Sequence, residues 1–241
     1  MSAPMPAIGA WPVPATARGV AIMGGSFDPV HIGHVRMAAA ARDAVGAEMM
    51  VFIPAARSPH KSAGPSASPE QRLKMLRLAL AGEPRAAVST IELDRAADVE
   101  RLGTRGAPSY TVDTLREIRA RTGATVPLWL VIGADQARSF HGWRQPREII
   151  SLARPAVVLR APDESPEQLL AAMRDHWTPS ELEQWKKCII GAPLIDASAT
   201  ELRELLGRGE FEHPKVREAM APAVVEYVRL NGLYRKAKHD N

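Results

Sequence analysis

The sequence predicts an α/β fold with a Rossmann-like, doubly wound and mostly parallel sheet, helices on both faces and a small C-terminal helical part. Short apolar runs typical of buried strands recur along the chain, and segments with helical spacing of apolar residues separate them. Such alternation predicts crossovers that join parallel strands. The first apolar run leads directly into a glycine-rich turn, and open α/β sheets bind ligands at the carboxyl ends of their strands.

Length and composition are those of one globular domain. The chain has 241 residues, of which 46% are hydrophobic, so a sizeable core is available. We expect a single domain over residues 19–236, whose C-terminal helical portion covers about 198–236. Residues 1–18 are rich in Ala and Pro and are expected to form a disordered extension, and residues 237–241 a tail.

Charge and cysteine content restrict the partners and the compartment. The net charge is +4, and Lys and Arg are spread along the chain without a basic run, so nucleic acid is not an expected partner. The single cysteine, Cys188, excludes an internal disulfide and is expected to be a buried, inert thiol in a reducing cytoplasm. Neither a secretory signal nor an apolar stretch of roughly 20 residues is present, so no membrane association is expected. A homo-oligomer is compatible with these features.

Apolar runs and turn residues predict the elements of the first third of the chain. A buried strand is predicted over residues 20–23, an alanine-rich helix over 37–45 and a second strand over 49–53. Residues 55–68 have the Ser, Pro and Gly content of a loop. Ser68-Pro69-Glu70-Gln71 then has the N-cap, the proline and the Gln typical of a helix start.

The middle of the chain predicts two more strands around a helix. Residues 88–93 alternate well enough for a third strand, and a charged connection over 94–108 follows. The apolar spacing of residues 111–122 predicts a helix, and residues 127–132 are the most convincing strand of the chain.

The last third ends in a helical portion. Its predicted elements are a strand over 156–159, two helical pieces within 162–187, a strand over 189–195 that Gly191 and Pro193 interrupt, and helices over 198–206 and 222–230. No internal repeat or linker divides the chain.

The turn over residues 24–34, Gly-Gly-Ser-Phe-Asp-Pro-Val-His-Ile-Gly-His, carries the main chemical signal. Gly24 and Gly25 let the backbone approach a ligand closely, and Pro29 fixes φ near the helix entrance. His31 and His34 are three residues apart, so we expect both imidazoles on one side of the first helical turn, where free N–H groups favour an anion. The turn therefore predicts a nucleotide phosphate site.

This turn resembles the signature of the nucleotidyltransferase superfamily, whose paired-histidine motif is matched by His31-Ile32-Gly33-His34. The same four letters occur in class I aminoacyl-tRNA synthetases, so they alone do not separate the two classes. A synthetase would want a Lys-Met-Ser-Lys-Ser-type loop, which this sequence lacks. That difference favours the nucleotidyltransferases.

A second phosphate-binding element is predicted at the helix that Ser198 opens. Ser198 alone suits an N-cap, and with Thr200 and Arg203 it offers two hydroxyls, free N–H groups and a guanidinium suited to phosphate oxygens. The three residues resemble the superfamily's second signature, in which Ala197 here replaces the usual Ile. Lys61, in a polar loop, adds a cation that would neutralise a triphosphate.

Three further elements narrow the resemblance to nicotinate-nucleotide adenylyltransferases. They are Pro59-His60-Lys61, Pro108-Ser109-Tyr110-Thr111, and Gly133-Ala134-Asp135 with Trp143 downstream. The resemblance implies that Trp143 stacks on the pyridine ring and that backbone amides at Ala107 and Arg144 hold the ring carboxylate.

The resemblance covers roughly residues 20–234, including a terminal Asn231-Gly232-Leu233-Tyr234-Arg235 like the family's ending. Residues 1–18 and about 160–187 carry no motif of this family. The five motifs in this order are far more specific than any one of them.

The resemblance implies transfer of AMP from ATP to nicotinate mononucleotide, which gives nicotinate adenine dinucleotide and pyrophosphate in NAD synthesis. The expected catalytic residues are His31, His34, Lys61 and Arg203. The expected ATP-binding residues are Gly24, Gly25, Ser26, Phe27, His31, His34, Asp135, Ser198, Thr200 and Arg203. The expected residues for nicotinate mononucleotide are Ser26, Lys61, Ala107, Tyr110, Thr111, Trp143 and Arg144. Mg²⁺ is expected to arrive with ATP, since no protein cluster at metal-ligand spacing is visible.

Three alternatives to this reaction stay open. A sister adenylyltransferase for pantetheine phosphate would share the first signature, but would give no reason for Trp143 or the Pro-Ser-Tyr-Thr element. Nicotinamide mononucleotide differs from nicotinate mononucleotide by one charge and would need a kinetic comparison. An inactive nucleotide-binding or RNA-binding regulator would have no need for both histidines, Lys61 and Arg203.

Overall fold

The structure is a computed structural model that describes residues 11–14, 16–56, 66–103, 109–159, 165–191 and 197–235. Six strands in these residues form one sheet: β1 Val20–Gly25, β2 Met49–Pro54, β3 Ala86–Val88, β4 Leu128–Gly133, β5 Arg154–Val158 and β6 Ile189–Ile190. The strand order is β3-β2-β1-β4-β5-β6, and every neighbouring pair is parallel. The predicted doubly wound sheet is therefore confirmed.

Helices connect the strands and complete the C-terminal part. They are α1 Ile32–Ala44, α2 Pro69–Ala79, α3 Ile91–Arg101, α4 Thr111–Thr122, α5 Ala134–Ser139, α6 Pro146–Leu152, α7 Pro166–Met173, α8 Pro179–Lys186, α9 Ala199–Gly207, α10 Pro214–Ala219 and α11 Pro222–Leu230. A 3-10 turn, Phe140–Gly142, lies between α5 and α6. None of the helices in the described residues is both long and apolar enough to cross a membrane.

The two faces of the sheet bury different side chains. Along β1, Ala21 and Met23 face one layer, and Val20 and Ile22 face the other, because side chains alternate along a strand. The first layer contains α1, α2 and α9–α11, and the second contains α4–α8. Helices on both faces and a C-terminal helical part were predicted, and both are observed.

Several helices lie where the helix signals in the sequence predicted them. The helix predicted over residues 111–122 is α4, which buries Val112, Leu115 and Ile118. Ser68 is the N-cap of α2: its hydroxyl accepts a hydrogen bond from the Gln71 N–H, and the Gln71 side chain accepts one from the Ser68 N–H. The two helical pieces within 162–187 are α7 and α8.

The strand predicted over residues 88–93 is wrong. The strand at this place is β3, which ends at Val88, and α3 begins three residues later with Glu92 and Asp94 in its first turn. Acidic side chains favour a helix N-terminus, and Ile91 and Glu92 are buried as neighbours on the helix and do not alternate across a strand. The connection predicted over 94–108 is helical as far as Arg101.

Other elements differ in their extent. α1 begins five residues before the predicted start at Met37, because His31 already serves as its N-cap. Of the strand predicted over 189–195, Ile189–Ile190 forms β6, and residues 192–196 lie outside the described ones.

The N-terminal extension is packed where it is described. Val13 and Ala17 are each 7% exposed and belong to the layer that contains α4, and Trp11 packs against it. A disordered segment was expected over residues 1–18, and within the described part of it these apolar side chains pack on the core. The domain boundaries stay a prediction.

Candidate active site

A cleft of about 990 Å³ opens at the carboxyl ends of β1 and β4, where the strand order reverses. Doubly wound sheets bind ligands at such a point. Predicted site residues from four segments line the cleft: Gly24, Gly25, Ser26, His34, Tyr110, Thr111, Asp135, Trp143 and Arg144. The fold thus brings together residues that the sequence keeps far apart.

The glycine turn after β1 is held in an uncommon backbone conformation. Phe27 has a φ of 50°, in the left-handed region, which costs a residue with a Cβ about 1–2 kcal/mol. Its ring is 1% exposed and lies under Gly25, where an added Cβ would come within 3.0 Å of that ring. Gly24 is exposed towards the cleft and has open space beside it, which leaves room for a ligand.

The two histidines lie side by side at the start of α1. The His31 N–H donates to Nδ1 of His34 at 3.3 Å, and the ring centroids are 3.8 Å apart. A neutral His34 whose Nδ1 accepts carries its proton on Nε2. His34 lines the cleft, whereas His31 is only 7% exposed. An added Cβ on Gly33 would meet Nδ1 of His31 at 2.9 Å, so the glycine makes room for that ring.

The second signature lies directly beside the first. Arg203 on α9 donates from Nη1 to the backbone carbonyl of Asp28 at 2.7 Å and from Nη2 to Thr200 Oγ1 at 3.1 Å. Ser198 is the N-cap of α9, as predicted, and its Oγ accepts from the Glu201 N–H at 3.5 Å. Arg203 therefore contacts the turn, but none of the three side chains lines the cleft.

Aromatic side chains also line the cleft. The Arg144 guanidinium lies over the Tyr110 ring, 4.8 Å from its centroid. Trp143 stacks on the fully buried ring of Phe140, with centroids 4.7 Å apart and planes at 25°. Behind Phe140 lie Trp177 and Trp185, which come from the segment without a recognised motif.

Comparison with known proteins agrees with this geometry. A model of the cytidylyltransferase-like family matches residues 22–205. A probable nicotinate-nucleotide adenylyltransferase of Chromobacterium violaceum is 36% identical over 223 residues, which are 90% of this chain and 98% of that protein. A probable nicotinate-nucleotide adenylyltransferase of Rhodopirellula baltica is 37% identical over 212 residues, 88% of this chain and 92% of that protein. The chain belongs to the nicotinate-nucleotide adenylyltransferase family.

Solved structures agree on the fold. The Plasmodium falciparum nicotinic acid mononucleotide adenylyltransferase complexed with NaAD has a TM-score of 0.65 and 15% identity, and covers 90% of this chain and 97% of its own. The same enzyme complexed with APC gives a TM-score of 0.65 and 14% identity, with the same coverage. These structures confirm the Rossmann-like fold, and the family model and the relatives confirm the predicted family and class of enzyme.

Asp135 stands at the carboxyl end of β4, in the first turn of α5. An added Cβ on Gly133 would come within 2.6 Å of its Oδ1, so only glycine leaves the carboxylate in this position. The Gly133 N–H donates to Oε1 of Gln136 at 3.1 Å, which closes the turn. The exposed carboxylate of Asp135 therefore faces the cleft from the β4 side.

Lys61 and Ala107 lie outside the residues that the structure describes. Cys188 is half-buried, and burial raises the pKa of its thiol, which disfavours the nucleophilic thiolate. Within the described residues, no group of three or more His, Cys, Asp or Glu side chains could hold a metal ion.

Glu92 is a cleft residue that the sequence analysis missed. It is 7% exposed, lines the cleft, and accepts a hydrogen bond from the Thr114 hydroxyl at 2.8 Å. Arg95 donates in turn to Thr114 Oγ1 at 2.8 Å. Burial raises the pKa of Glu92, although bonds from Thr114 and Ser109 oppose the rise. No sequence motif distinguishes this glutamate from a solvated one.

We expect Glu92→Gln to change the pH dependence of stability. Because burial raises the pKa of Glu92 above its ordinary 4.5, the folded chain binds this proton more tightly than the unfolded chain. The contribution of Glu92 to stability is therefore lost as the pH rises through the raised pKa. As the pH rises from about 5 to about 8, calorimetry should show the unfolding temperature of the variant increasing by a few degrees relative to that of the wild type.

Glu117→Gln is the control for this prediction, since Glu117 is half-exposed and pairs with Arg95 and Arg121. Its unfolding temperature should run parallel to that of the wild type over the same pH range. Parallel curves for Glu92→Gln as well would contradict the prediction.

Proposed function

We propose that the protein transfers AMP from ATP to nicotinate mononucleotide, giving nicotinate adenine dinucleotide and pyrophosphate in NAD biosynthesis. One observation carries the proposal: a single cleft has the glycine and histidine turn at one end and the aromatic pair of Tyr110 and Trp143 at the other. Its volume of about 990 Å³ suits two nucleotides. The names of the relatives support this reaction.

The reaction needs no nucleophilic side chain. The phosphate of the mononucleotide is the nucleophile and is ionised at neutral pH. It attacks the innermost phosphorus of ATP, the bond from that phosphorus to the bridging oxygen breaks, and pyrophosphate leaves. Holding the two phosphates in line supplies about 7–11 kcal/mol, whereas one hydrogen bond to a charge supplies about 1.5–3 kcal/mol. Positioning is therefore the larger contribution.

The turn after β1 is the proposed triphosphate site. Gly24 and Gly25, the last residues of β1, and Ser26 after them offer backbone N–H groups. His34 lines the cleft at the start of α1 with the buried His31 packed beside it, where the helix dipole favours an anion. His34 is the better placed for the charge that develops on the phosphate oxygens, because it is the histidine that lines the cleft. Lys61 and Arg203 are proposed to neutralise the remaining charge.

Mg²⁺ is proposed to enter bound to ATP and to supply charge neutralisation there. Within the described residues no cluster of side chains could hold a metal ion by itself. The exposed carboxylate of Asp135 lies at the carboxyl end of β4, where it could accept a hydrogen bond from a water of an ATP-bound Mg²⁺. In this assignment Asp135 contacts the ribose or a metal-bound water. Thr200 and Ser198 complete the ATP site next to Arg203.

The aromatic end is the proposed nicotinate site. Trp143 lines the cleft and stacks on the buried Phe140 ring, which holds the indole in a fixed orientation. Tyr110, Thr111 and Arg144 line the same cleft, and backbone amides at Ala107 and Arg144 are proposed to hold the ring carboxylate. Ser26 and Lys61 would hold the phosphate of this mononucleotide.

A pyrophosphate-release assay tests the proposed function. Purified protein is given ATP and Mg²⁺ with nicotinate mononucleotide, nicotinamide mononucleotide or pantetheine phosphate. We expect the highest kcat/KM with nicotinate mononucleotide. A higher value with either of the others would reassign the substrate, and no release with any of them would favour the inactive regulator.

Trp143→Ala should raise the KM for nicotinate mononucleotide about tenfold or more. Stacking of a base on an aromatic side chain is worth about 1–3 kcal/mol, and every 1.4 kcal/mol is a factor of ten. The KM for ATP should change less than twofold, because ATP is proposed to bind at the other end. Trp143→Phe keeps a stacking ring and should recover most of the loss. Equal changes in both KM values would argue against the assignment.

A further inference from the structure

The turn after β1 decides where His34 lies. The Phe27 ring meets the His34 ring edge-on, with centroids 5.2 Å apart, and packs on Phe52 from the other side. The left-handed φ of 50° at Phe27 directs its side chain to this position. A backbone in such a region persists only where surrounding contacts hold it.

Two arginines hold the carbonyl groups on either side of Phe27. Arg72, on α2, donates from Nη1 to the Ser26 carbonyl at 2.8 Å. Arg203, on α9, donates from Nη1 to the Asp28 carbonyl at 2.7 Å. The carbonyl groups of the residues just before and just after Phe27 are thus each tied to a different helix.

The Asp28 side chain ties the same turn to two other parts of the chain. Its carboxylate accepts from the Ser66 N–H at 2.6 Å and from the Ala67 N–H at 3.1 Å, just before α2. It also accepts from the Tyr234 hydroxyl at 2.8 Å, across 206 positions of sequence. Asp28 is 7% exposed, so each of these bonds satisfies a charge that water reaches poorly.

Arg72 and Tyr234 are built into the core behind the turn. Arg72 is 0% exposed, and burial lowers its pKa, opposed mainly by the charge of Asp28. Burial raises the pKa of Tyr234, and the neighbouring Asp28 raises it further, so the hydroxyl stays a donor. Tyr234 fits here because Gly207 has no side chain: an added Cβ would come within 2.7 Å of the Tyr234 carbonyl oxygen.

We infer that Tyr234 and Arg72 are positioning residues for adenylyl transfer, acting through Asp28 and Ser26 to hold the Phe27 turn and, with it, His34. Neither side chain lines the cleft, so neither is placed to touch a nucleotide. The inference rests on the proposed function only in that the turn binds ATP. It assigns a role in the site to the C-terminal segment after α11 and to a buried arginine of α2.

Tyr234→Phe tests the inference by removing one hydroxyl. We expect kcat for pyrophosphate release to fall about tenfold, with the KM for nicotinate mononucleotide unchanged within twofold. The matched control is Tyr227→Phe, since Tyr227 is half-buried in α11 and its hydroxyl makes no hydrogen bond to any residue that the structure describes. Assays are run well below the unfolding temperatures of both variants, so that a loss of stability alone leaves kcat unchanged.

Arg72→Lys and Arg72→Met provide a second comparison. Lys keeps a donor for the Ser26 carbonyl, so we expect Arg72→Lys to retain several times the kcat of Arg72→Met. Wild-type kcat in Tyr234→Phe, or equal kcat in the two Arg72 variants when both are folded, would overturn the inference.

ATP affinity separates this inference from the proposed function. Titration calorimetry should show ATP binding about fivefold weaker or more in Tyr234→Phe than in Tyr227→Phe, whichever mononucleotide is the true acceptor. If the wild type released no pyrophosphate with nicotinate mononucleotide but this difference appeared, the proposed acceptor would be wrong and the positioning role would stand. Equal ATP affinity and equal kcat in the two variants would remove the positioning role.

Discussion

His34→Ala should lower kcat for pyrophosphate release by about 100-fold or more while the protein remains folded. The imidazole lines the cleft and is oriented by the His31 N–H, which donates to its Nδ1 at 3.3 Å, so in the neutral ring Nε2 carries the proton that a phosphate oxygen can accept. A fixed donor of this kind contributes more to the transition state than to the ground state, and losing one costs about 10²–10³ in kcat. Steady-state kinetics with saturating ATP and nicotinate mononucleotide measure the effect.

His176→Ala is the control for this prediction. His176 is exposed and stacks on His141, with centroids 3.5 Å apart, away from the turn after β1. It should keep wild-type kcat, and both variants should keep the far-ultraviolet circular dichroism of the wild type. Near-normal turnover in a folded His34→Ala protein would remove the catalytic role of His34.

Arg203→Ala should lower kcat/KM for ATP by about 100-fold or more. The substitution removes a proposed counter-charge for the triphosphate together with the bond to the Asp28 carbonyl. Two hydrogen bonds involving a charged group are worth about 3–6 kcal/mol, and every 1.4 kcal/mol is a factor of ten. Arg203→Lys keeps the charge but loses the two-pronged geometry, so its kcat/KM should lie between those of Arg203→Ala and the wild type.

Arg208→Ala is the matched control, because Arg208 is the C-cap residue of the same helix, α9. Its guanidinium pairs with Glu210 at the surface, where an exposed ion pair contributes about 0–1 kcal/mol. Arg208→Ala should therefore leave kcat/KM within twofold of the wild type. A similar loss in both variants would point to general damage of α9 and against a specific contact of Arg203.

The fold could be predicted where one local signal had a single interpretation. Residues 111–122 became α4 because Val112, Leu115 and Ile118 recur at helical spacing and Gly123, at a φ of 77°, ends the helix. Residues 88–93 carry an alternating pattern that also suits a strand end followed by a helix start. The tertiary pairing of β3 with β2 decides between these, and it lies outside any local window.

The site could be predicted where its chemistry is contained in a short motif. Residues 24–34 carry the glycines and both histidines within one turn, so their proximity follows from the local structure. The bond from Tyr234 to Asp28 and the burial of Arg72 and Glu92 depend on contacts between distant segments. In a single sequence, Asp28, Arg72 and Glu92 cannot be distinguished from charged residues at the surface. For the same reason, the packing of Trp177 and Trp185 behind Phe140 could not be predicted.

The position of the cleft at the border between β1 and β4 also affects the stability of the folded chain. β1 leads to β2 and β3 on one side, and β4 leads to β5 and β6 on the other, so the border divides the sheet into an early and a late half of the sequence. The proposed pair of nucleotides would lie across this border and contact both halves, so we expect it to bind only when the halves are joined. By mass action, substrates bound in this way would oppose separation of the halves and stabilise the folded chain.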